Sequence, residues 1–133
     1  MNARVALIER MPMKMGQGAH LIAEWCGCDA SIAAMLDAAI LRSLCIAFSR
    51  SAGLQIVGDA FHQFSPHGVT GTVLLAESHL AIHTWPESGY VTLDVYVCNL
   101  QCDNTEKALA LYAALKQHFQ PRRTHYTHLH RGQ

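Results

Sequence analysis

The alternation of apolar and polar residues along the chain predicts several β-strands. The clearest case is Tyr90–Cys98, where Val91, Leu93, Val95 and Val97 alternate with more polar residues. Successive side chains of a strand point to opposite faces, so this pattern indicates one face on a core and one face turned away from it. Further strands are predicted over His20–Trp25, Leu54–Phe64, Val69–Glu77, His79–Trp85 and Thr124–His130.

Two other segments carry apolar residues at helical spacing. The first runs from an N-cap at Asp29 or Ser31 to about residue 51, and the second opens at Asn104 or Thr105 and ends before Pro121. The predicted order is therefore β-α-β-β-β-β-α-β. Because most of the strands follow one another directly, we predict an α+β fold, a two-layer sandwich with an antiparallel sheet and helices on one face.

The length of 133 residues fits one domain. Residues 1–18 lack clear periodicity and are predicted to form an N-terminal arm, and residues 19–133 the single domain. Only 15% of the residues are charged, which favours a surface partly buried against another subunit. Ten basic residues balance ten acidic ones, whereas a nucleic-acid-binding protein normally shows a basic excess.

The sequence indicates neither export nor a membrane location. Arg4, Glu9 and Arg10 interrupt the stretch where a signal peptide is continuously apolar. The most apolar segment, residues 33–48, contains two charged residues and is too short for a membrane span. The five cysteines are an odd number, and we expect reduced thiols in a cytoplasmic protein.

The histidines and cysteines do not predict a metal site. Neither Cys26-Gly-Cys28 nor the spacing from Cys98 to Cys102 has the C-x2-C form that structural zinc sites favour, and the chain has no H-E-x-x-H motif. Buried thiols and surface histidines are the ordinary interpretation of such residues. We therefore expect no metal ligands.

A polar corner, Glu77-Ser78-His79, lies between two predicted strands. His83 follows five residues after Ser78, and Cys98 ends the next predicted strand. A serine, a histidine and a cysteine at the ends of neighbouring strands could converge on one cleft. The spacing alone is weak evidence for this, and a solvated turn serine with a histidine at the rim of the core is the more ordinary interpretation.

The segment at residues 77–87 reads ESHLAIHTWPE and is followed by Gly89-Tyr90 and then DVYVC at residues 94–98. This string is highly specific and closely resembles the prokaryotic S-adenosylmethionine decarboxylase proenzymes, which are pyruvoyl-dependent. Comparable family segments exist for Ala19–Trp25, Phe61–Phe64, Gly68–Gly71 and His128–Gly132. The resemblance covers about residues 19–132.

The resemblance implies that the chain makes its own cofactor. The Ser78 hydroxyl would attack the carbonyl of Glu77, and elimination followed by hydrolysis would leave a pyruvoyl group derived from Ser78. The products would be a β chain of residues 1–77 and an α chain of residues 78–133. His83 matches the family residue that accepts the α-proton during processing, a role that suits neutral imidazole near pH 7.

The resemblance also assigns residues to catalysis. The pyruvoyl carbonyl would form a Schiff base with the substrate amine and take up the electrons left by carbon dioxide. Cys98 matches the proton donor, and a thiol with a pKa of about 8.5 holds its proton at neutral pH. Phe64 matches an aromatic residue that stacks on the adenine of the substrate, and Glu87 matches one that binds the ribose hydroxyls.

The assembly and the product follow from the same resemblance. The family forms homodimers of cleaved αβ protomers, so Phe64 and Glu87 would face a pyruvoyl group of the second copy. A second copy would also cover the sheet face that the helices leave open. The decarboxylated product would supply the aminopropyl donor for spermidine and other polyamines. We expect a small-molecule substrate and neither nucleic acid nor membrane as a partner.

Thr70 departs from the family, which usually has serine in this Gly-Val-x-Gly turn. Its hydroxyl would still assist processing, but its β-branch restricts χ1, so slower processing is expected. Thr70 and the N-terminal arm leave open a pyruvoyl-dependent decarboxylase of a basic amino acid, ornithine or arginine. A second alternative is an unprocessed paralogue that activates a partner decarboxylase, although Ser78, His83 and Cys98 are all present.

Overall fold

The computed structural model describes residues 17–76 and 78–132. The elements in chain order are β1 Gly18–Cys26, α1 Ala33–Leu36, α2 Ala38–Ser51, β2 Ile56–Gln63, β3 Val69–Leu75, β4 Ser78–Trp85, β5 Tyr90–Cys98, α3 Thr105–Phe119 and β6 Arg123–Arg131. A 3-10 turn at Pro86–Ser88 joins β4 to β5. None of the described helices combines the length and apolar character that crossing a membrane requires.

The six strands form one sheet in the order β2-β3-β4-β5-β1-β6. Every neighbouring pair is antiparallel. Strands β2 to β5 lie side by side because short turns join them, whereas β1 and β6 pair with each other and extend the sheet beyond β5. The predicted α+β fold with an antiparallel sheet is confirmed.

The core lies between the sheet and the helices. Val91, Leu93, Val95 and Val97 of β5 are buried, as their alternation predicts. They belong to one cluster with the buried residues of α3, which are Ala108, Leu111, Tyr112, Leu115 and Phe119. Burying side chains of this size stabilises the fold by roughly 1.5–3 kcal/mol each.

The opposite side of the sheet is covered by no described element. We call it the open face, and it consists of the strand side chains that point away from the helices. Several of its large apolar side chains are well exposed: Ile22 39%, Leu74 48%, Trp85 40% and Leu129 44%.

The first predicted helix is wrong in its extent. Two helices are present instead of one, and Asp37 separates them in an extended conformation (φ −121°, ψ 121°). The Asp37 carboxylate accepts the N–H groups of Ala39 (2.8 Å) and Ile40 (3.1 Å), and it thereby caps α2. Asp29 caps no helix but accepts the backbone N–H and the hydroxyl of Ser31 in a turn.

The remaining element boundaries lie within about two residues of the predicted ones. The predicted N-terminal arm falls mostly on residues 1–16, which lie outside the described residues. Gly18 already belongs to β1. A Cβ atom there would lie 2.3 Å from the carbonyl oxygen of Val97, so only glycine fits at this position.

Candidate active site

Ser78 and Cys98 line one cavity at the end of the sheet. Ser78 is the first residue of β4, and Cys98 is the last residue of β5. The start of β4 lies beside the end of β5, because His79 is opposite Tyr96 in the pairing of these two strands. The cavity has a volume of about 310 Å³, and we call it the cleavage half-site.

The walls of the cleavage half-site come from the β3–β4 turn, the loop after α2 and the beginning of α3. Lys107 is the one charged side chain among the described residues that line it. The Ser78 hydroxyl donates a hydrogen bond of 3.3 Å to the carbonyl of Ala76. The Asn104 amide donates to the carbonyl of Cys98 at 2.8 Å and so holds the end of β5 against the start of α3.

His83 does not lie in the cleavage half-site. It follows Ser78 by five residues of regular strand, which advance by about 17 Å. Its Nδ1 atom lies 3.0 Å from the hydroxyl oxygen of Thr70, the residue opposite it on β3. Within one chain, Ser78 and Cys98 therefore line the same cavity, whereas His83 lies beside Thr70.

Phe64 and Glu87 share a second pocket with Thr70, of about 260 Å³, at the opposite end of the β3–β4 hairpin. The other residues that line it are His67, Gly68, Thr84 and Trp85. We call this pocket the binding half-site. Its aromatic ring and its carboxylate suit a ligand that has both a planar ring and hydroxyl groups.

A short loop holds Phe64 in place. Its N–H donates to the carbonyl of Gly68 at 2.9 Å, and Gly68 has a positive φ of 108° that glycine adopts readily. The neighbouring Gln63 accepts the N–H of Ala38 at 2.6 Å and donates to the carbonyl of Leu36 at 2.8 Å. These two bonds tie the start of the loop to the last residue of α1, Leu36, and to the first residue of α2, Ala38.

The cysteines differ in their environments. All five are free thiols. Burial, together with the neighbouring Cys26, raises the pKa of Cys28 to about 11, and burial raises the pKa of Cys45 to about 12. These two thiols are protonated at neutral pH and belong to the core. Cys98 and Cys102 instead line the cleavage half-site.

The sequence did not point to a further cluster on the open face. His20 donates a hydrogen bond through Nε2 to Oδ1 of Asp94, and Nε2 of His79 lies 3.8 Å from the same oxygen. His20 and Asp94 are 74 positions apart, so no motif of fixed spacing contains both. Only the pairing of β1 with β5 reveals the contact.

Comparison with known proteins identifies relatives across most of the chain. The family model described as S-adenosylmethionine decarboxylase matches residues 19–132. The S-adenosylmethionine decarboxylase proenzyme of Acetivibrio thermocellus is 46% identical over 81 residues, which are 61% of this chain and 64% of that relative. The proenzyme of Pyrococcus horikoshii is 36% identical over 115 residues, which are 86% of this chain and 78% of that relative.

A solved structure agrees with these relatives. The crystal structure of the adenosylmethionine decarboxylase from Aquifex aeolicus matches with a TM-score of 0.75 and 34% identity, over 86% of this chain and 89% of that chain. The chain spans slightly less than two thirds of the Acetivibrio relative. Since the family model extends over residues 19–132, the chain belongs to the S-adenosylmethionine decarboxylase family.

Proposed function

We propose that this protein is a self-processing decarboxylase of S-adenosylmethionine that carries a pyruvoyl group derived from Ser78. The proposal rests on one observation above all, that Ser78 and Cys98 line the same cavity. Membership of the family supports the reaction and the substrate. The product would supply the aminopropyl donor for spermidine and other polyamines.

The position of Ser78 suits an N-terminal pyruvoyl group. It begins a strand directly after a turn, and its hydroxyl is bonded only to a backbone carbonyl among the described residues. Cutting the chain there leaves both hairpin strands paired with their outer neighbours. Once formed, a pyruvoyl group supplies the electron sink for the loss of carbon dioxide.

The cleavage uses groups of this chain and one water molecule. The Ser78 oxygen forms an ester with the carbonyl carbon of Glu77, and the peptide C–N bond breaks. Removal of the α-proton of residue 78 then expels the Glu77 carboxylate as the new C-terminus and leaves dehydroalanine. Hydrolysis of its imine tautomer releases ammonia. Glu77 itself lies outside the described residues.

The position of Cys98 supports a role as the proton donor. Its backbone is held at the end of β5 by Asn104, and its side chain lines the cavity that contains Ser78. The substrate carbon that loses carbon dioxide must gain a proton, and a thiol can deliver one at neutral pH. We assign this step to Cys98.

The separation of the two half-sites favours a homodimer with shared active sites. Within one chain His83 lies too far from Ser78 to remove its α-proton, because five strand residues span about 17 Å. We infer that two copies pack through their open faces about a two-fold axis, with His83 of one copy acting on Ser78 of the other. The exposed apolar side chains of the open face support this packing.

The binding half-site favours an adenosyl substrate over a basic amino acid. Phe64 is 48% exposed and therefore free to stack on a base, and Glu87 lies within the same pocket to accept ribose hydroxyls. In the proposed dimer this pocket would face the pyruvoyl group of the other copy. Ornithine and arginine have a terminal cation instead of an adenine ring, and such a cation would favour a carboxylate at the position of Phe64. Ornithine and arginine are therefore tested as alternative substrates beside S-adenosylmethionine.

The substrate is tested with carboxyl-labelled compounds on purified protein. We expect labelled carbon dioxide from S-adenosylmethionine and none from ornithine or arginine. Intact mass should show two chains, with the α chain lighter by one ammonia than a chain that starts with serine. Release of labelled carbon dioxide from a basic amino acid would overturn S-adenosylmethionine as the proposed substrate. A single uncleaved mass, with no carbon dioxide released from any compound, would favour a non-catalytic paralogue.

Sharing of the active site is tested by co-expression. Ser78→Ala and His83→Ala should each be inactive alone, but their mixed dimer contains one intact site. Random pairing makes half of the dimers mixed, so carbon dioxide release should return to about a quarter of the wild-type rate.

The matched control for this experiment pairs Ser78→Ala with Cys98→Ala. Both residues belong to the cleavage half-site of one chain, so their mixed dimer contains no complete site and should show no recovery. Equal recovery in the two mixtures, or none in either, would contradict the shared site.

A further inference from the structure

We propose that His20, His79 and Asp94 bind a divalent transition-metal ion such as Zn²⁺ on the open face. The three residues come from neighbouring strands, β1, β4 and β5. His20 and His79 both lie opposite Tyr96 in their strand pairs. Asp94 is two residues before Tyr96 in β5 and therefore lies on the same face. Their ligand atoms all lie within 4.8 Å of one another.

The distances require only small adjustments. A zinc ion with bonds of about 2.0–2.2 Å holds its ligand atoms about 3–3.5 Å apart. Nε2 of His79 lies 3.8 Å from Oδ1 of Asp94, and Nε2 of His20 is already in contact with that oxygen. Side-chain rotations of about 1 Å at each residue would therefore open the space for an ion. The backbone positions are set by the paired strands.

The donor set selects the class of metal. Two imidazoles and one carboxylate suit Zn²⁺ and its neighbours, whereas Mg²⁺ and Ca²⁺ prefer oxygen ligands only. No thiol belongs to the cluster. The three side chains are partly exposed on the open face of the single chain, so in the proposed dimer water or a side chain of the second copy can complete the coordination shell.

The charge of Asp94 also favours a cation at this point. Among the described residues no lysine or arginine lies within ion-pair distance of Asp94, and the two histidines are its partners. The centroid of the Tyr96 ring lies 5.5 Å from that of His20 and 5.8 Å from that of His79, so the ring packs against both imidazoles. A metal ion held by the two imidazoles would balance the charge of this carboxylate.

The site is independent of the cleavage reaction, because none of its three ligands takes part in the proposed chemistry. His79 nevertheless follows Ser78 directly. A bound ion would link the beginning of β4 to β5 and β1. This part of β4 lies next to the peptide bond that is proposed to break.

The experiment uses full-length protein freed of metal with a chelator and titrated with Co²⁺. We expect one Co²⁺ per chain with visible absorption bands, and displacement of these bands by Zn²⁺. His20→Ala and Asp94→Asn should each weaken binding by roughly 100-fold or more, since even outer-shell changes at metal sites cost 10–100-fold. Zn²⁺ should raise the Tm of the wild type and leave that of both variants unchanged.

His125→Ala is the matched control. His125 lies opposite Glu24 at the neighbouring edge of the sheet and is not a member of the cluster. It should bind Co²⁺ like the wild type. Equal Co²⁺ affinity in the wild type, His20→Ala and Asp94→Asn would overturn the proposed metal site. Loss of Co²⁺ binding in His125→Ala alone would overturn it as well. In either case the histidines would bind metal only as separate, weak ligands.

Discussion

Replacing Ser78 with alanine is expected to leave a single uncleaved chain on a denaturing gel, where the wild type separates into two. Alanine has no oxygen to attack the preceding carbonyl, so the ester that leads to cleavage cannot form. Decarboxylation should be lost as well, because no pyruvoyl group is made. Ser43→Ala, at an exposed position of α2, is the control and should be cleaved like the wild type.

His83→Ala separates the two steps of this reaction. Without a base for the α-proton, the chain should stall as the ester. Added hydroxylamine should then cut this variant at residue 78 and should leave Ser78→Ala intact. Two fragments from Ser78→Ala, divided at the same bond as in the wild type, would rule out the pyruvoyl reaction.

Cys98→Ala is expected to be cleaved at least in part and yet to lose turnover. General acid catalysis contributes a factor of about 10²–10⁴ in rate, and we expect a decrease of that order in carbon dioxide release. Protonation at the wrong carbon would also transfer the substrate amine to the pyruvoyl group and inactivate the enzyme during turnover.

Cys102→Ala is the control for this variant, because Cys102 lines the same cavity but lies beyond the end of β5. Its turnover should stay close to that of the wild type. Unchanged turnover in Cys98→Ala would reduce Cys98 to a packing residue, and equal losses in both variants would point to a disturbed cavity rather than to a missing proton donor.

Local pattern was sufficient for much of the fold. Strand β5 and helix α3 have the predicted limits, Tyr90–Cys98 and Thr105–Phe119. Both carry their signals within a few residues, since alternation reports a half-buried strand and a proline after the last turn ends a helix. The ESHLAIHTWPE string likewise identified the family without any structure.

The break at Asp37 could not be predicted in this way. Apolar residues continue at helical spacing across it, and the local sequence contains no glycine or proline to interrupt a helix. The break is stabilised from elsewhere in the chain, because the Gln63 side chain of β2 binds both Leu36 and Ala38. Such a contact depends on the packed sheet.

The arrangement of the candidate site was decided by the tertiary structure. Ser78 and His83 are close in sequence but lie at different ends of β4, whereas Ser78 and Cys98 line one cavity because their strands pair. His20 and Asp94 are in contact across 74 positions because β1 pairs with β5. The sequence by itself determined the residue types, the strands and the family; which residues share a cavity was determined by strand pairing, since hydrogen bonding between strands joins residues without regard to their distance along the chain.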